Sequence, residues 1–477
     1  MPPLRELRAA ITRPSMQIAL IVACAQFMQN LDGTIIVTAL PAMGQSFATN
    51  ASRMSEAITA YALAAAVCIP ASGWLADRLG TRNLLCVATA IFTLSSMTCG
   101  IAGSYGSFIG WRLVQGGSAA MMSPVARMIV LRNSEKRELM QTLSTLVWPG
   151  LIAPVIGPPL GGFLTSMFSW RWIFYINLPF GIAGIALTMA VIPNHRSGEH
   201  GSFDTKGLLL LALAIGALTY GFDAAGAPHI DIPMVLALLG AAAVTGYLAL
   251  RHLETVREPA MRLDALRRPA FFVSCISGGG ISRAAISATP FLLPLMLQVG
   301  FGLSPLDSGL LLLIYMLANF LMKAATNPIV RRFGMRKVLL VNGAITAAGI
   351  AACALISPGL PFWLTTAILL LSGGSRSLQF SAMTYTTFAE IGPEERSSAS
   401  VLSSLAMYVA NGVGVALAAL LLNFSRLLRH AAHLAPFDFR LAMVLIGAFG
   451  ALAVFSYARL PESTGAEVSG HGRAAVG

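Results

Sequence analysis

Residues 16–41 read MQIALIVACAQFMQNLDGTIIVTALP, and this stretch decides the class of the molecule. It is long enough to cross the roughly 30 Å hydrocarbon core of a bilayer as one helix. A single acid, Asp32, lies deep within it. A carboxylate at that depth costs about 2.5–3.5 kcal/mol on insertion scales, so it is retained for a proton or ion pathway or is held by polar neighbours. Gln29, Asn30 and Thr34 are such neighbours. The stretch is too long for the apolar part of a secretory signal and no small-residue cleavage site follows it, so it reads as a retained helix.

The rest of the chain continues in the same vein. Of 477 residues, 56% are hydrophobic and 11% charged, a composition that only a polytopic membrane protein accommodates. Apolar spans recur at 16–41, 55–75, 84–103, 107–131, 141–165, 173–192, 206–222, 232–250, 270–298, 306–328, 338–357, 362–388, 398–424 and 440–458, fourteen in all. The expected fold is therefore all-α, with fourteen transmembrane helices. Two polar stretches, 193–206 and 251–269, divide them six, two and six. Residues 1–15 then form a cytoplasmic amino terminus and 16–192 a six-helix bundle. Residues 193–269 are a linker carrying two inserted helices (206–222 and 232–250), 270–458 a second six-helix bundle, and 459–477 a cytoplasmic tail.

The net charge of +12 does not call for nucleic acid. With the amino terminus in the cytoplasm, 23 of the 32 Lys and Arg residues fall at cytoplasmic ends and loops, 5 on the other side and 4 within spans. That is the positive-inside pattern, and it places both termini in the cytoplasm. All six cysteines lie in apolar spans and read as small packing residues, with no metal site.

Weak internal symmetry links the halves: GWLADRLGTRN (73–83) follows the second span and NPIVRRFGMRK (327–337) follows the tenth. Gly73 and Gly80 fit a tight turn, and Asp77, Arg78 and Arg82 suit charge-assisted bonds at a junction that opens and closes. In the fifth span, Gly157, Gly161 and Gly162 let helices approach closely, while Pro158 removes a backbone donor and favours a bend. Arg112 in the fourth span lies about six residues from the outer end, and Asp32 about nine from the outer end of the first. At 1.5 Å per residue these depths agree to within about 5 Å, so the two can pair. Arg283 and Arg376 are central in spans nine and twelve and should face the cavity between the bundles with Gln29 and Asn30; the alternative is that they bond to backbone carbonyls at helix breaks beside Gly278–Gly280 and Gly373–Gly374. Lys323 lies near a cytoplasmic end and can snorkel out. One acid against three or four bases makes the cavity net positive, which favours a neutral or anionic amphiphile over a lipophilic cation.

The segments LDGTIIVTALP (31–41), GWLADRLGTR (73–82), RLVQGGSAAMMSP (112–124), GPPLGG (157–162) and WRWIFYINLPFG (170–181) resemble the major facilitator superfamily. More narrowly they are similar to its fourteen-helix drug:proton antiporter family (EmrB/QacA-like). ISRAAISATPFLLPLMLQVGFGLSP (281–305) and QFSAMTYTTFAEI (379–391) resemble an MdtD/HsrA-like subgroup of it. The resemblance covers about residues 15–460. It implies proton-driven export of a drug-like molecule from the plasma (inner) membrane by a monomer, with no cofactor beyond the proton gradient; a periplasmic adaptor is left open as a partner. It further implies that Asp32 carries the proton, that Arg112 belongs to the coupling machinery, and that Asp77 latches the cytoplasmic side against the neighbouring bundle. The Gly157–Gly162 segment would close the outer side. Val37 and Ala153 depart from the family pattern, which has Asn and Gly there.

Other classes fare worse. No G-x-x-x-x-G-K-[ST] is present for a nucleotide-driven pump, and no H-E-x-x-H or G-x-S-x-G for an intramembrane enzyme. A proton symporter or facilitator for a small organic solute is the rival reading, sharing the fold and the carboxylate.

Overall fold

The computed structural model describes residues 14–50, 53–133, 139–194, 204–225, 231–256, 259, 262–392, 395–431, 433–462 and 464–465. Ten helical stretches among them are long and apolar enough to cross a membrane. The other predicted spans are helical as well. They are 55–75 (Glu56–Cys68, α2, then Ala71–Leu79, α3), 107–131 (Tyr105–Asn133, α5), 141–165 (Leu139–Met167, α6) and 362–388 (Phe362–Phe388, α13). The remaining long helices are α1 (Pro14–Ile35), α4 (Thr81–Ile101), α7 (Asn177–Val191), α8 (Thr205–Ala225), α9 (Ile232–Thr255) and α10 (Gly278–Leu295). α11 (Pro305–Phe333), α12 (Met335–Ala352), α14 (Arg396–Leu428) and α15 (Pro436–Tyr457) complete the set.

Several predicted spans are not single α-helices, and the second and ninth are the clearest cases. The second breaks between α2 and α3 at Ile69–Pro70, where proline has no N–H to continue the ladder. The ninth begins with a π-turn, Phe272–Ile276, ahead of the Gly278–Gly280 run that starts α10, and ends in another, Met296–Gly300, beyond Pro290 and Pro294.

The helices alternate between two faces, a near face at which Pro14 lies and a far face at which α11 begins. In the far half, one apolar core joins both halves of the chain: Ile35, Leu40, Met43 and Phe174 pack in the same cluster as Leu292, Leu312, Val415 and Phe439. Toward the near face the core splits. Ala19, Phe92 and Val125 belong to one cluster, and Leu339, Met383 and Tyr457 to another. The two halves thus share one core at the far face and keep separate cores toward the near one, where they still meet along one side: Ala66 of α2 packs with Phe271, Leu402 and Leu405. The inserted pair α8–α9 packs on α2 of one half and α14 of the other. Its outward side is apolar and exposed, with Leu213, Leu236 and Val244 facing where lipid acyl chains lie.

The related loops named from sequence are built alike. Gly80 (φ +88) joins α3 to α4, and Gly334 (φ +77) joins α11 to α12. The first is braced on Asn194, just after α7, whose Oδ1 accepts from Asn83 N at 3.4 Å. The second is braced on residues after α15, with Arg336 paired to Glu462 at 2.9 Å. A Cβ on Gly80 would lie 2.2 Å from Asn194 Oδ1, in a backbone region that L-residues rarely adopt. Gly80→Ala is therefore expected to cost about 1–3 kcal/mol, read as a lower thermal unfolding midpoint in detergent. Gly73 corrects the expectation of a shared turn. It lies inside α3 with open space around it, so Gly73→Ala should leave the midpoint unchanged.

Candidate functional site

Asp32 is 1% exposed and sits at the centre of a closed polar network. Its Oδ2 accepts from Arg112 Nη1 at 2.8 Å. Its Oδ1 accepts from Gln115 Nε2 at 2.9 Å and from Asn177 Nδ2 at 3.0 Å. Arg112 is equally buried. Its Nη1 also donates to Gln115 Oε1 at 2.7 Å, its Nε donates to the Ala57 carbonyl at 3.1 Å, and its plane lies 4.6 Å from the Tyr61 ring centroid. Asn177 donates as well to Ser96 Oγ at 3.0 Å, and Ser96 in turn donates to the Phe174 carbonyl at 2.9 Å. Helices α1, α5 and α7 meet at this carboxylate, and α2 and α4 join the network through Arg112 and Asn177.

The pairing of Asp32 with Arg112 matches the depths counted along the sequence. Gln115 and Asn177 were not singled out there, and both carried a signal. Gln115 is three residues beyond Arg112, hence on the same helix face. Asn177 is the polar residue heading the otherwise apolar α7. They supply the amide donors to Asp32, while Val37 lines the cavity. Asn177→Leu removes donors to both Asp32 and Ser96. It should cost about 1–3 kcal/mol, the penalty for a buried acceptor left short, measured as a drop in thermal stability.

Arg112, and not Asp32, faces a cavity of about 460 Å³ between the two halves. Gln29, Asn30, Gly33 and Thr34 of α1 line one wall; Lys323 and Arg376 line the wall opposite. A second cavity of about 540 Å³ shares Gln29, Asn30 and Tyr408 with the first and reaches Ser72 at the start of α3 and Arg127 and Ser400, toward the near-face ends of α5 and α14. The path thus runs from mid-depth to the near face. Gln29 Oε1 accepts from Ser123 Oγ at 3.0 Å, and Asn30 donates to the Gln26 carbonyl at 2.8 Å.

Arg283 departs from the cavity expectation and follows the alternative, a helix break. It is 3% exposed, is not on the cavity wall, and its Nη1 donates to the Ser274 and Cys275 carbonyls, both at 3.1 Å. The π-turn frees these carbonyls from the ordinary helical ladder, and Gly279 leaves room for the guanidinium, since a Cβ there would lie 2.9 Å from Nη1. Lys323 departs the other way. Instead of reaching out to the interface, its ammonium stays on the cavity wall and donates to Ser381 Oγ at 2.7 Å.

At the far face, the Gly157–Gly162 segment of α6 meets two partners. A Cβ on Gly157 would lie 2.3 Å from Thr34 Oγ1, and one on Gly161 2.3 Å from the Ile35 carbonyl, both within the same half. A Cβ on Gly162 would lie 2.4 Å from the Pro305 carbonyl of the other half, and one on Gly309 2.6 Å from the Pro158 carbonyl. Hydrogen bonds from Gln298 Nε2 to the Thr38 carbonyl (3.0 Å) and from Leu306 N to Ser166 Oγ (3.2 Å) cross the same junction. The near-face loop makes local contacts: Arg78 stacks on Trp74 and Arg82 Nε donates to Asn83 Oδ1 at 3.3 Å. The side chain of Asp77 lies outside the described residues.

A buried carboxylate network behind a cavity shared by two helical halves is an arrangement met in secondary transporters, and comparison with known proteins agrees. The family model of the Major Facilitator Superfamily matches residues 22–282 and 275–475. Candidate multidrug resistance proteins MdtD from Salmonella heidelberg and Salmonella paratyphi A are each 36% identical over 410 residues, 84% of this chain and 85% of theirs. Among solved structures, a D-xylose–proton symporter superposes with a TM-score of 0.66 at 15% identity, covering 94% of this chain and 98% of its own. The nucleoside transporter NupG does so at 0.62 and 15% identity, covering 93% and 98%. These last two share the fold. The chain belongs to the major facilitator superfamily, where it groups with the MdtD proteins as a multi-pass inner-membrane transporter and not an enzyme.

Proposed function

We propose that this transporter exports small molecules in exchange for protons by alternating access. The observation that carries the reading is Asp32, whose carboxylate is tied to Arg112, Gln115 and Asn177 directly behind the wall of the central cavity. Ionised, Asp32 holds Arg112 by a charge-assisted bond. Protonated, it releases that charge toward the cavity that Arg112 already lines. A dry surrounding favours the neutral acid and a nearby guanidinium the carboxylate, so a change in exposure or in the position of Arg112 moves the proton.

The basic residues concentrated on the near side support its reading as the cytoplasmic face. The described conformation is then inward-facing, sealed on the outside along Gly162, Pro305 and Gly309. Opening the far junction and closing the near one carries the cavity contents across. Gln29 and Asn30 contact cargo from the first half and Arg376 from the second, with Arg283 holding the break in span nine. Asp77 with Arg78 and Arg82 latches the near side in the opposite conformation. The proton gradient is the sole energy source, no cofactor takes part, and the monomer is the working unit. That the MdtD relatives are named for multidrug resistance supports export as the direction.

The test is proton movement in everted vesicles energised to be acidic inside, with neutral, anionic and cationic compounds added in turn. Dissipation of the gradient by a compound for wild type, absent for Asp32→Asn, is the expected result. Equal dissipation by the variant contradicts the role of Asp32. Compound-driven acidification of the lumen assigns the rival symport reading.

A further inference from the structure

The two halves answer a buried arginine differently. In the first half, Arg112 of α5 lies over Tyr61 of α2, and its charge is met by Asp32. In the second half the corresponding helices repeat the arrangement. Arg376 of α13 lies over Tyr315 of α11, 5.7 Å from the ring centroid. The repetition stops at the acid. Among the described residues, no carboxylate stands within ion-pair distance of Arg376 or Lys323. The contacts of Arg376 are Met316 Sδ at 3.5 Å and the Tyr315 ring, and the ammonium of Lys323 has only the neutral Ser381 hydroxyl. The described acids of this half are engaged elsewhere: Asp307 with Ser304, Glu390 with Ala270 N, Glu395 with Arg268, Asp438 with Arg429 and Ser425, and Glu462 with Arg336. The central cavity is lined by Arg112, Lys323 and Arg376 and by no acid among the described residues.

Two cations without counter-charge on one wall are costly at this depth, unless something arrives to pair with them. We propose that Arg376 and Lys323 form an anion-binding subsite that takes the carboxylate or other oxyanion group of the cargo, which is therefore a small organic acid. Asn319, on α11 between Met316 and Lys323, and Ser377, beside Arg376, place neutral hydrogen-bonding groups on the same wall. Phe380 and Met407 offer apolar surface for the remainder of the molecule. The charge assignment fits outward transport, since a cell that is negative inside drives an anion outward. This inference rests on the reading that the cavity is the transport path.

The test needs no knowledge of the natural cargo. Cys24, Cys68 and Cys86, the three cysteines that are not buried, are replaced by alanine, and Asn319→Cys places a thiol on the wall. Purified protein is labelled with a sulfonate-bearing methanethiosulfonate and with its trimethylammonium counterpart, each rate normalised to free cysteine. The subsite predicts labelling by the anionic reagent roughly tenfold or more faster, the enrichment expected in a cleft of one sign. Arg376→Gln with Lys323→Gln abolishes the preference, and Arg376→Lys, which keeps the charge and guards against a folding artefact, retains it. Equal rates, a faster cationic reagent, or a preference that survives loss of both charges overturns the proposal. In the vesicle assay, proton responses to cationic compounds alone overturn it too, while leaving proton exchange standing. A preserved anion preference with no role for Asp32 in proton movement would instead remove the proton reading alone.

Discussion

Asp32→Ala is expected to lose about 3–5 kcal/mol of stability, the cost of breaking a buried ion pair from one side. The loss comes less from the missing attraction than from what is left behind: a guanidinium that is 1% exposed, with Gln115 and Asn177 deprived of their acceptor. Asp32→Asn retains an acceptor oxygen and the side-chain volume, so it should fold while lacking the titratable group. Replacing both members of the pair, Asp32→Leu with Arg112→Met, should recover part of the alanine loss, because no unpaired charge remains. Only part returns, since the two amides still lack Asp32. Thermal unfolding followed by size-exclusion recovery in detergent checks all three. If the double replacement is as damaging as Asp32→Ala, the penalty does not arise from the stranded charge.

The second large effect is expected at the far-face junction. Gly162 and Gly309 are where the halves touch backbone to backbone, with room for no Cβ on either side. Gly162→Leu forces the halves apart in the sealed state and has no such clash once they separate. Overpacking of this kind costs about 1–3 kcal/mol. Because the cost falls on one conformation, it converts into a population shift of about 5–150-fold toward the far-open state. A thiol placed by Val155→Cys on the cavity wall reports the shift as faster labelling by an impermeant reagent from the far side. Gly157→Leu serves as the contrast. Its clash is with Thr34 in the same half, so it should destabilise the protein without changing the side of access. Equal accessibility changes in both variants would remove Gly162 from the gate.

The fold was legible because membrane insertion writes itself into composition: each helix must be apolar along its length, and the predicted spans track the observed helices closely. A break in span nine beside Gly278–Gly280 was legible as an alternative, whereas the break at Pro70 and the π-turn form of span nine depend on which carbonyls find other partners. Matching depth allowed Asp32 and Arg112 to pair, directly or through a shared water, and the direct pair is what forms. Direction around a helix did not follow so simply. Arg283 and Arg376 are equally central in their spans, but one turns to the carbonyls of its own helix break and the other lines the cavity. Lys323 was misread for a related reason: distance to the helix end allowed snorkelling, and the Ser381 hydroxyl across the α11–α13 contact keeps it inside. The donors Gln115 and Asn177 were hidden because single amides in apolar helices gain meaning only when the carboxylate they meet is known.

The central claim is that Asp32 takes up and releases a proton in the folded transporter, and infrared spectroscopy addresses it without any cargo. Difference spectra of purified protein in lipid, taken between alkaline and acidic buffer, should show a carboxylic acid C=O band that appears on acidification and is missing from Asp32→Asn. The same band in both proteins, or none in either before unfolding, would contradict the claim and leave Asp32 as a fixed structural partner of Arg112.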